Sequence, residues 1–581
     1  MGLQKIFLTR FTVSLIPARF GPRVAPLFSY LVLCGCLSAL AQESGRGPSP
    51  AVEEAATTLS AGRILADTRF LSSDLLEGRA PATRGDLLAR QYVAARMEAA
   101  GLKPGAADGS FFQRVPLLTV RTDPGATLTV RRKGAAEHLR FGPDFVAFPG
   151  LQQTAATLDD AELVFVGYGI IAPEEQWDDF KDTDLRGKVL LFLNNDPDNG
   201  DSSFFGGKAR LFYGRWTYKF AVAAERGAAG AFIIHTTPSA GYGWNVVESS
   251  WGSKRSEPER NQGSPGVPVK GWTSSEATGR ILRLAGHGMD ELSARAQRRD
   301  FRPVPLGVTV STALTSTVRR LETANVLGLL PGSDDALRRE AVIVTAHIDH
   351  LGIGRPVKGD SIYNGALDNA AGVASMLELA RAFAALPVAP RRSLLFIGVA
   401  AEESGLIGSG YYADNPTFPP GAIAANINID GINIFGPTRD IVVVGRGRST
   451  LDAAFTRAAA RQGRVVRGDP FPEQGSFYRS DQFSFARIGV PSVAPDGGTE
   501  YVGRPQTFAR EMVQHYIDEH YHQPSDEIDT AWNLTGAVQD LALTLAAVAE
   551  IADAPSMPAW NPGDEFEAVR RKALRDAGSR R

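Results

Sequence analysis

The chain has 581 residues, 43% of them hydrophobic and 22% charged, with a formal net charge of −2 at pH 7. The length predicts two or more domains, and the composition excludes a disordered or fibrous protein. A nearly neutral chain gives no electrostatic reason to expect nucleic acid or an anionic membrane surface as a partner.

Residues 1–41 have the pattern of a secretory signal peptide. A basic region is followed by the apolar stretch APLFSYLVLCGCLSALA, which ends in Ala39-Leu40-Ala41. This combination is typical of a cleaved leader, and the stretch is short for a membrane span. We therefore expect export to the periplasm or the extracellular space and a mature chain without a transmembrane span. Lipid anchoring through Cys36, in LCGC, is the alternative.

The next segments differ in predicted secondary structure. Residues 42–56 are expected to form a flexible lead-in, and residues 57–150 to begin a larger domain with helices such as TRGDLLARQYVAARMEAAGL. Residues 151–314 contain short strand candidates and glycine-rich turns, which predict a β-rich insert. Within it, SSWGSKRSEPERNQGSPG reads as a surface loop.

Residues 315–555 complete the larger domain, and residues 556–581 form a tail. From about Asn325 strands and helices alternate, beginning with AVIVTAH and NAAGVASMLELARAFAAL and closing with the helix TGAVQDLALTLAAVAEIAD. Such alternation predicts an α/β domain with a largely parallel sheet covered by helices.

Acidic and imidazole side chains follow the apolar strands of this domain. They are His347, Asp349, Glu402, Glu403 and Asp430 at strand ends, with Asp368 and His522 before helices. Each alone has an ordinary explanation, and Asp368 in LDNAAG would serve as a helix cap. Ligands collect at the carboxyl ends of such strands, however, and so many anions packed together need counter-charge. Two divalent cations would supply it, and the mixed nitrogen and oxygen donors suit zinc.

The motifs AHIDHLG, YNGALDNAAGVA, AAEESGLIGS, NINIDGIN, RSDQFSFARIGVPSV and YHQPSDEID occur in this order. Together they resemble the co-catalytic dizinc exopeptidases, the family of aminopeptidase Y, bacterial secreted leucyl aminopeptidases and glutamate carboxypeptidase II. The resemblance implies a zinc-exopeptidase αβα sandwich with a mostly parallel central sheet. The insert, with GRWTYKFAVAAERGAAGAFIIHTT, resembles the protease-associated domain of several members.

The same resemblance implies a role for each site residue. His347 and Asp430 would bind one Zn²⁺, Glu403 and His522 the second, and Asp368 would bridge both. Asp349 would orient the imidazole of His347, and Glu402 would act as the general base. The expected function is hydrolysis of peptides by an aminopeptidase with two Zn²⁺ per chain.

Other readings stay open. A carboxypeptidase of the same family, a glutaminyl cyclase with one zinc, and a catalytically silent receptor-like scaffold would share the fold. Among the remaining polar residues, Asp481 is expected to shape the substrate side of the site and Tyr521 to line the pocket. The other histidines of these regions are expected not to bind metal: His350 as a loop residue, His515 and His520 beside the site, and His235 and His287 on the surface of the insert.

Overall fold

The structure is a computed structural model that describes residues 49–198, 204–207, 209–252, 255–260 and 265–578. The predicted signal peptide and residues 42–48 of the predicted lead-in lie outside the described residues. Residues 50–56 of that lead-in, expected to be flexible, instead belong to the helix Pro50–Thr57, in which Val52 and Ala55 are buried.

The helices of the described residues are numbered in chain order. Helices α1 to α8 are Pro50–Thr57, Ala61–Leu71, Arg84–Ala99, Trp216–Glu225, Thr237–Ala240, Trp244–Trp251, Ser275–Ala285 and Met289–Ala296. Helices α9 to α16 are Ala371–Ala384, Ile407–Asp414, Leu451–Arg461, Ser476–Arg479, Gln482–Arg487, Phe508–Glu519, Thr535–Asp553 and Glu567–Gly578.

The strands are numbered in the same way. Strands β1 to β10 are Lys103–Pro104, Phe112–Thr122, Thr127–Arg132, Ala135–Arg140, Phe145–Pro149, Ala155–Phe165, Ile171–Ala172, Trp177–Asp178, Val189–Leu193 and Gly230–Ile234. Strands β11 to β21 are Arg255–Pro258, Val269–Thr273, Val304–Leu330, Ala341–His347, Gly352–Val357, Asp360–Tyr363, Ser393–Val399, Ile423–Asn428, Asp440–Val444, Val465–Arg467 and Ser492–Asp496.

The central sheet contains four neighbouring parallel strands in the order β17, β14, β18 and β21. Antiparallel strands β13 and β19 flank them on the two sides. Because the four strands run in the same direction, their carboxyl ends lie along one edge. The prediction of an α/β domain with a largely parallel sheet is confirmed.

Both faces of this sheet are covered, as successive side chains point to opposite sides. On β14, Val342 and Val344 belong to the apolar cluster that includes helices α9 and α15, whereas Ile343 belongs to a cluster on the other face. Helices α10 and α13 pack together on that second side, and α13 also contacts β18. The continuous apolar composition of β14 and β17 follows from burial on both faces.

A second sheet has the strand order β4, β3, β13, β6, β9, β10, β12 and β5. Strand β13 spans Val304–Leu330: its first half pairs with β3 and β6, and its second half pairs with β2 and β17 of the central sheet. One continuous backbone therefore joins the two sheets. The expected domain boundaries at residues 151 and 314 stay a prediction.

Three sequence-based expectations need correction here. The stretch read as a surface loop contains β11, which pairs with β2 and buries Arg255 and Ser256. The β-rich insert also contains helices α7 and α8. Helix α14, which carries His515, is absent from the sequence-based elements, although Met512, Val513 and Ile517 recur along it at helical spacing and line a cavity.

Helix α15 is long and apolar enough to cross a membrane by length and composition. It packs instead against α1, α9, α11, β14 and β18, and most of it is buried within the described structure. Its composition is thus accounted for by a position in the protein core.

The fully buried Arg79 ties the first helices to the loops after β14 and β16. Its guanidinium donates hydrogen bonds to the backbone carbonyl oxygens of Leu71, Ile348, Asn364 and Gly365, at 2.5–3.0 Å. Burial lowers the pKa of Arg79 to about 10, against the attraction of nearby carboxylates led by Asp349. One side chain thus fixes two loops that lie next to the strand ends.

Replacing Arg79 by Met is expected to lower the free energy of unfolding by about 3 kcal/mol or more. Four carbonyl oxygens lose their donor, and a buried unsatisfied polar group costs about 1–3 kcal/mol. Urea denaturation of the metal-free protein measures the change. The exposed Arg84 provides a matched control, since Arg84→Met should leave stability nearly unchanged. Equal stability of the two variants would contradict this role.

Candidate metal centre

The carboxyl ends of three adjacent parallel strands carry most of the predicted site. His347 is the last residue of β14, Glu402 and Glu403 follow β17, and Asp430 follows β18. Asp368 lies in the irregular turn before α9 and does not cap that helix. His522 follows α14 and has a left-handed backbone conformation, with φ of 57°. The structure brings all six residues to one rim.

Asp368 stands between two groups of donor atoms. Its Oδ1 lies 3.1 Å from His347 Nε2, and that nitrogen is 3.3 Å from Asp430 Oδ1. Its Oδ2 lies 3.4 Å from His522 Nε2, which is 2.9 Å from Glu403 Oε2. Each side therefore offers one imidazole nitrogen and carboxylate oxygens from two residues, with Asp368 shared.

The imidazoles and carboxylates alter each other's protonation. Burial opposes charge on His347, but Asp430 and Asp368 raise the pKa of His347 well above its usual value. In the same way Glu403 and Asp368 outweigh burial and raise the pKa of His522. Burial would raise the pKa of Glu403, yet His522 lowers it to about 2. The cluster binds positive charge strongly.

Asp349 is buried behind the first group. Its backbone carbonyl oxygen, not its carboxylate, lies 3.2 Å from His347 Nδ1, while its Oδ1 is 4.0 Å from the same nitrogen. That Oδ1 accepts a hydrogen bond from the backbone N–H of Glu402 at 3.0 Å. Burial raises the pKa of Asp349 to about 7. Asp349 therefore contacts both His347 and the segment that carries Glu402.

His350 is closer to the site than a loop residue was expected to be. It is fully buried, and its Nδ1 lies 2.7 Å from Glu403 Oε1 without hydrogen-bond geometry. His350, Asp368 and Glu403 together offer ligand atoms within 4.8 Å of one another. No local pattern indicates this position, since the side chain of a histidine one residue beyond Asp349 can face either way.

Two further residues position the acidic ligands. Asp526 accepts hydrogen bonds from the backbone N–H groups of Leu367 and Asp368, at 3.0 and 3.1 Å. Ser480 donates to Asp430 Oδ2 at 2.5 Å and accepts from Asn428 Nδ2 at 2.8 Å. Asp526 and Ser480 stand in the motifs YHQPSDEID and RSDQF, but residue type and spacing alone assigned them no role.

The site opens into a cavity of about 380 Å³, called the apolar cavity below. Asp368, Glu402, Glu403 and Asp430 line one part of it. The other walls are mainly apolar and aromatic: Phe435, Val442, Val444, Phe471, Tyr501, Met512, Val513 and Ile517. Tyr521 lies on its wall and stacks on His522 with ring centroids 4.0 Å apart, as expected for a residue lining the pocket.

The other polar residues considered in the sequence analysis lie in different environments. Asp481 is fully buried, neither of its carboxylate oxygens has a hydrogen-bond partner among the described residues, and burial raises its pKa to about 6. His515 is exposed on α14, and His520 Nδ1 lies 2.8 Å from the carbonyl oxygen of Ser525. His235 was expected on the surface but is buried, with its Nε2 3.1 Å from the carbonyl oxygen of Tyr242.

The donor set fits two divalent cations. Each group supplies three protein ligands of the types that zinc prefers, which leaves a position for water or substrate. His522 Nδ1 and Glu403 Oε1 are buried without hydrogen-bond partners among the described residues. Carboxylates and unpaired donors packed so closely are costly unless a cation balances them.

Comparison with known proteins agrees with this geometry. Residues 325–546 match the family model described as Peptidase family M28, and this range includes every predicted site residue. The curated Leupeptin-inactivating enzyme 1 of Streptomyces exfoliatus is 26% identical over 247 residues, 42% of this chain and 51% of the relative. The match therefore spans about half the length of that relative.

A solved structure shares the fold. The aminopeptidase from Aneurinibacillus sp. strain AM-1 aligns with a TM-score of 0.50 and 18% identity, covering 88% of this chain and 98% of that protein. The zinc-exopeptidase sandwich is thus the architecture of the chain. A Peptidase M28 precursor from Shewanella amazonensis aligns with a lower TM-score of 0.47 and 18% identity, covering 88% and 98%.

Replacing Ser480 by Ala is expected to weaken zinc binding about 10–100-fold, because Asp430 loses the hydrogen bond that orients it. Zinc titration against a competing chelator measures the affinity. Ser311 in the second sheet, whose hydroxyl donates to Asp160, serves as the control. Unchanged affinity in Ser480→Ala, or an equal loss in Ser311→Ala, would refute the positioning role.

Proposed function

We propose that this chain, in which residues 325–546 match peptidase family M28, is an exported dizinc aminopeptidase that releases N-terminal residues from peptides. One observation carries the proposal: the two carboxylate oxygens of Asp368 face different imidazoles, His347 on one side and His522 on the other. A single carboxylate so placed can hold two cations at once.

The metal ligands follow from this arrangement. His347 and Asp430 would hold one zinc, Glu403 and His522 the other, and Asp368 would bind both. When bound, the two ions would polarise the scissile carbonyl group and lower the pKa of the attacking water. The chain's own task is to hold the five ligands in place, and hydrogen bonds with Asp526 and Ser480 do so for two of them, Asp368 and Asp430.

Glu402 is the residue best placed to move protons. It lies on the wall of the apolar cavity, next to the ligand Glu403. Withdrawal from bulk water, reinforced by Glu403, Asp481 and Asp430, raises the pKa of Glu402 well above its usual value. A carboxylate with a raised pKa accepts the proton of the attacking water and then donates it to the leaving amine.

The apolar cavity would receive a substrate side chain. Its aromatic and aliphatic walls suit the apolar side chain on the acyl side of the scissile bond, which in an aminopeptidase belongs to the N-terminal residue of the substrate. A carboxypeptidase of the same family is the second candidate. A glutaminyl cyclase would use one zinc, whereas this site offers two groups of metal ligands. A catalytically silent scaffold would not need two complete groups of ligands.

We also propose that the protein acts outside the cytoplasm. The basic and apolar pattern of residues 1–41 supports this, with cleavage after Ala41. Comparison of the N-terminus of the mature protein with the printed sequence tests the cleavage site. A mature chain that still begins at Met1 would contradict it.

The neighbouring glutamates provide a test of the assigned roles. Glu402→Gln is expected to keep both metal ions but to lower kcat for leucyl-p-nitroanilide about 10²–10⁴-fold, since it removes the general base. Glu403→Gln is expected to lose one of the two ions because it removes a ligand. Elemental analysis of the dialysed protein and steady-state kinetics measure the two effects.

Each variant is the control for the other, as the two residues are adjacent and carry the same charge. Equal metal loss in both variants would overturn the division of roles. Failure of the zinc-loaded wild-type protein to cleave any aminoacyl-nitroanilide or short peptide in a chelator-sensitive manner would overturn the proposed function.

A further inference from the structure

A second cavity of about 140 Å³, called the basic cavity below, adjoins the apolar cavity. The two cavities share the lining residues Ala240, Tyr242, Glu402, Glu403, Gln474, Arg479, Tyr521 and His522. The volume is well above the roughly 10–15 Å³ that one water needs, so the basic cavity has room for a small part of a substrate. Residues of the candidate metal centre thus line both cavities.

Three arginines line the basic cavity: Arg215, Arg255 and Arg479. Arg479 lines the apolar cavity as well, whereas Arg215 and Arg255 do not. Arg215 is 8% exposed and Arg255 is 3% exposed, and the Nε atom of each has no hydrogen-bond partner among the described residues. The guanidinium of Arg479 lies over the ring of Tyr242, 5.3 Å from its centroid.

Among the described residues, neither of the two buried arginines forms an ion pair, and each has one hydrogen-bond acceptor: the backbone carbonyl oxygen of Tyr478 for Arg215 and that of Ser404 for Arg255. The buried Arg392, in contrast, pairs with Glu340 at 3.0 Å. The buried Arg79 has no carboxylate partner either, but its guanidinium donates to four carbonyl oxygens. A buried cation without a partner is costly and is usually retained for a reason.

Burial dominates the protonation of these groups. It lowers the pKa of Arg215 to about 10, as does the positive charge of Arg479, against the attraction of Glu402 and Asp481. Burial likewise lowers the pKa of Arg255 to about 10, although its guanidinium packs over the rings of Trp216 and Trp251. Both remain cations at neutral pH, so an anion entering the cavity would meet strong, preorganised donors.

We propose that the basic cavity binds a carboxylate on the leaving-group side of the substrate. This inference rests on the proposed function: the N-terminal side chain occupies the apolar cavity, the scissile bond lies beside Glu402, and the next residue extends toward Arg215. Planar guanidinium groups bind carboxylates through paired, charge-assisted hydrogen bonds. The substrate class is therefore short peptides in which the residue after the scissile bond carries a carboxylate.

That carboxylate has two possible sources, which synthetic peptides separate. In Leu-Ala it is the free C-terminus, in Leu-Asp amide it is the side chain, and Leu-Ala amide has neither. We expect kcat/KM of the zinc-loaded protein to be at least about 10-fold higher for Leu-Ala than for Leu-Ala amide. A similar preference for Leu-Asp amide would show that a side chain also serves. Equal values for all three peptides would overturn the proposal.

Substitution of individual arginines tests whether they cause the preference for a free carboxylate. Arg215→Gln is expected to reduce the ratio of kcat/KM for Leu-Ala over Leu-Ala amide to near 1. The control is Arg320→Gln, since Arg320 is exposed, forms an ion pair with Glu259 and does not line the cavity. If thermal melting shows that Arg215→Gln is unfolded, Arg255, which lines the basic cavity and not the apolar cavity, is replaced by Gln, and then Arg479. A ratio that persists in whichever of these variants is folded would overturn the assignment.

A binding measurement separates this inference from the proposed function. Calorimetry with the zinc-loaded Glu402→Gln protein is expected to show Leu-Ala binding at least about 10-fold more tightly than Leu-Ala amide. That result would support the basic cavity even if the wild-type protein cleaved no peptide, in which case the proposed function alone would fail. Equal affinities for the two peptides would overturn the inference even in an active enzyme.

Discussion

The structure depends on the concentration of negative charge at the carboxyl ends of its parallel strands. Asp349 and Glu403 are almost fully buried there, and Asp368 is shared between two imidazoles. The buried cation behind them, Arg79, donates only to backbone carbonyl oxygens. Such a cluster is tolerable only if the imidazoles hold protons or cations replace those protons. The donor atoms suit the second solution.

The fold places the proposed metal ligands next to one another. Adjacent parallel strands β17, β14 and β18 place Glu403, His347 and Asp430 side by side, and rigid strand ends position ligands more precisely than free loops do. The loop residues Asp368 and His522 complete the two groups from outside the sheet. Asp526 accepts a hydrogen bond from the backbone N–H of Asp368, and Ser480 donates one to the side chain of Asp430.

The residues at strand ends were predictable because the signal is local: an apolar run stops and a polar ligand follows, as at His347 and Asp430. Assigning Asp368 and His522 needed the resemblance to a family, since neither ends a strand. Arg79 was missed because it contacts residues about 270–290 positions away, and no local pattern records such contacts. His350 was missed because its backbone position leaves the direction of its side chain open.

The fold shows the same difference between features that local sequence patterns predict and features that depend on long-range contacts. Helices and strands of the α/β domain followed from their apolar periodicity, and β14 begins and ends where the sequence predicts. Strand β11 was read as a loop because its residues are polar, although Arg255 is buried by packing over two tryptophan rings. That misreading concealed the basic cavity, whose arginines come from segments far apart in the chain. Polar residues buried by tertiary contacts are the ones that composition describes least well.

Anomalous X-ray diffraction from crystals of the zinc-loaded protein tests the central claim most directly. The account predicts two zinc peaks about 3.5–4 Å apart, one on each side of Asp368, with His347 and His522 bound to different ions. A single peak, or peaks that lie away from Asp368 while its neighbours remain in place, would contradict it.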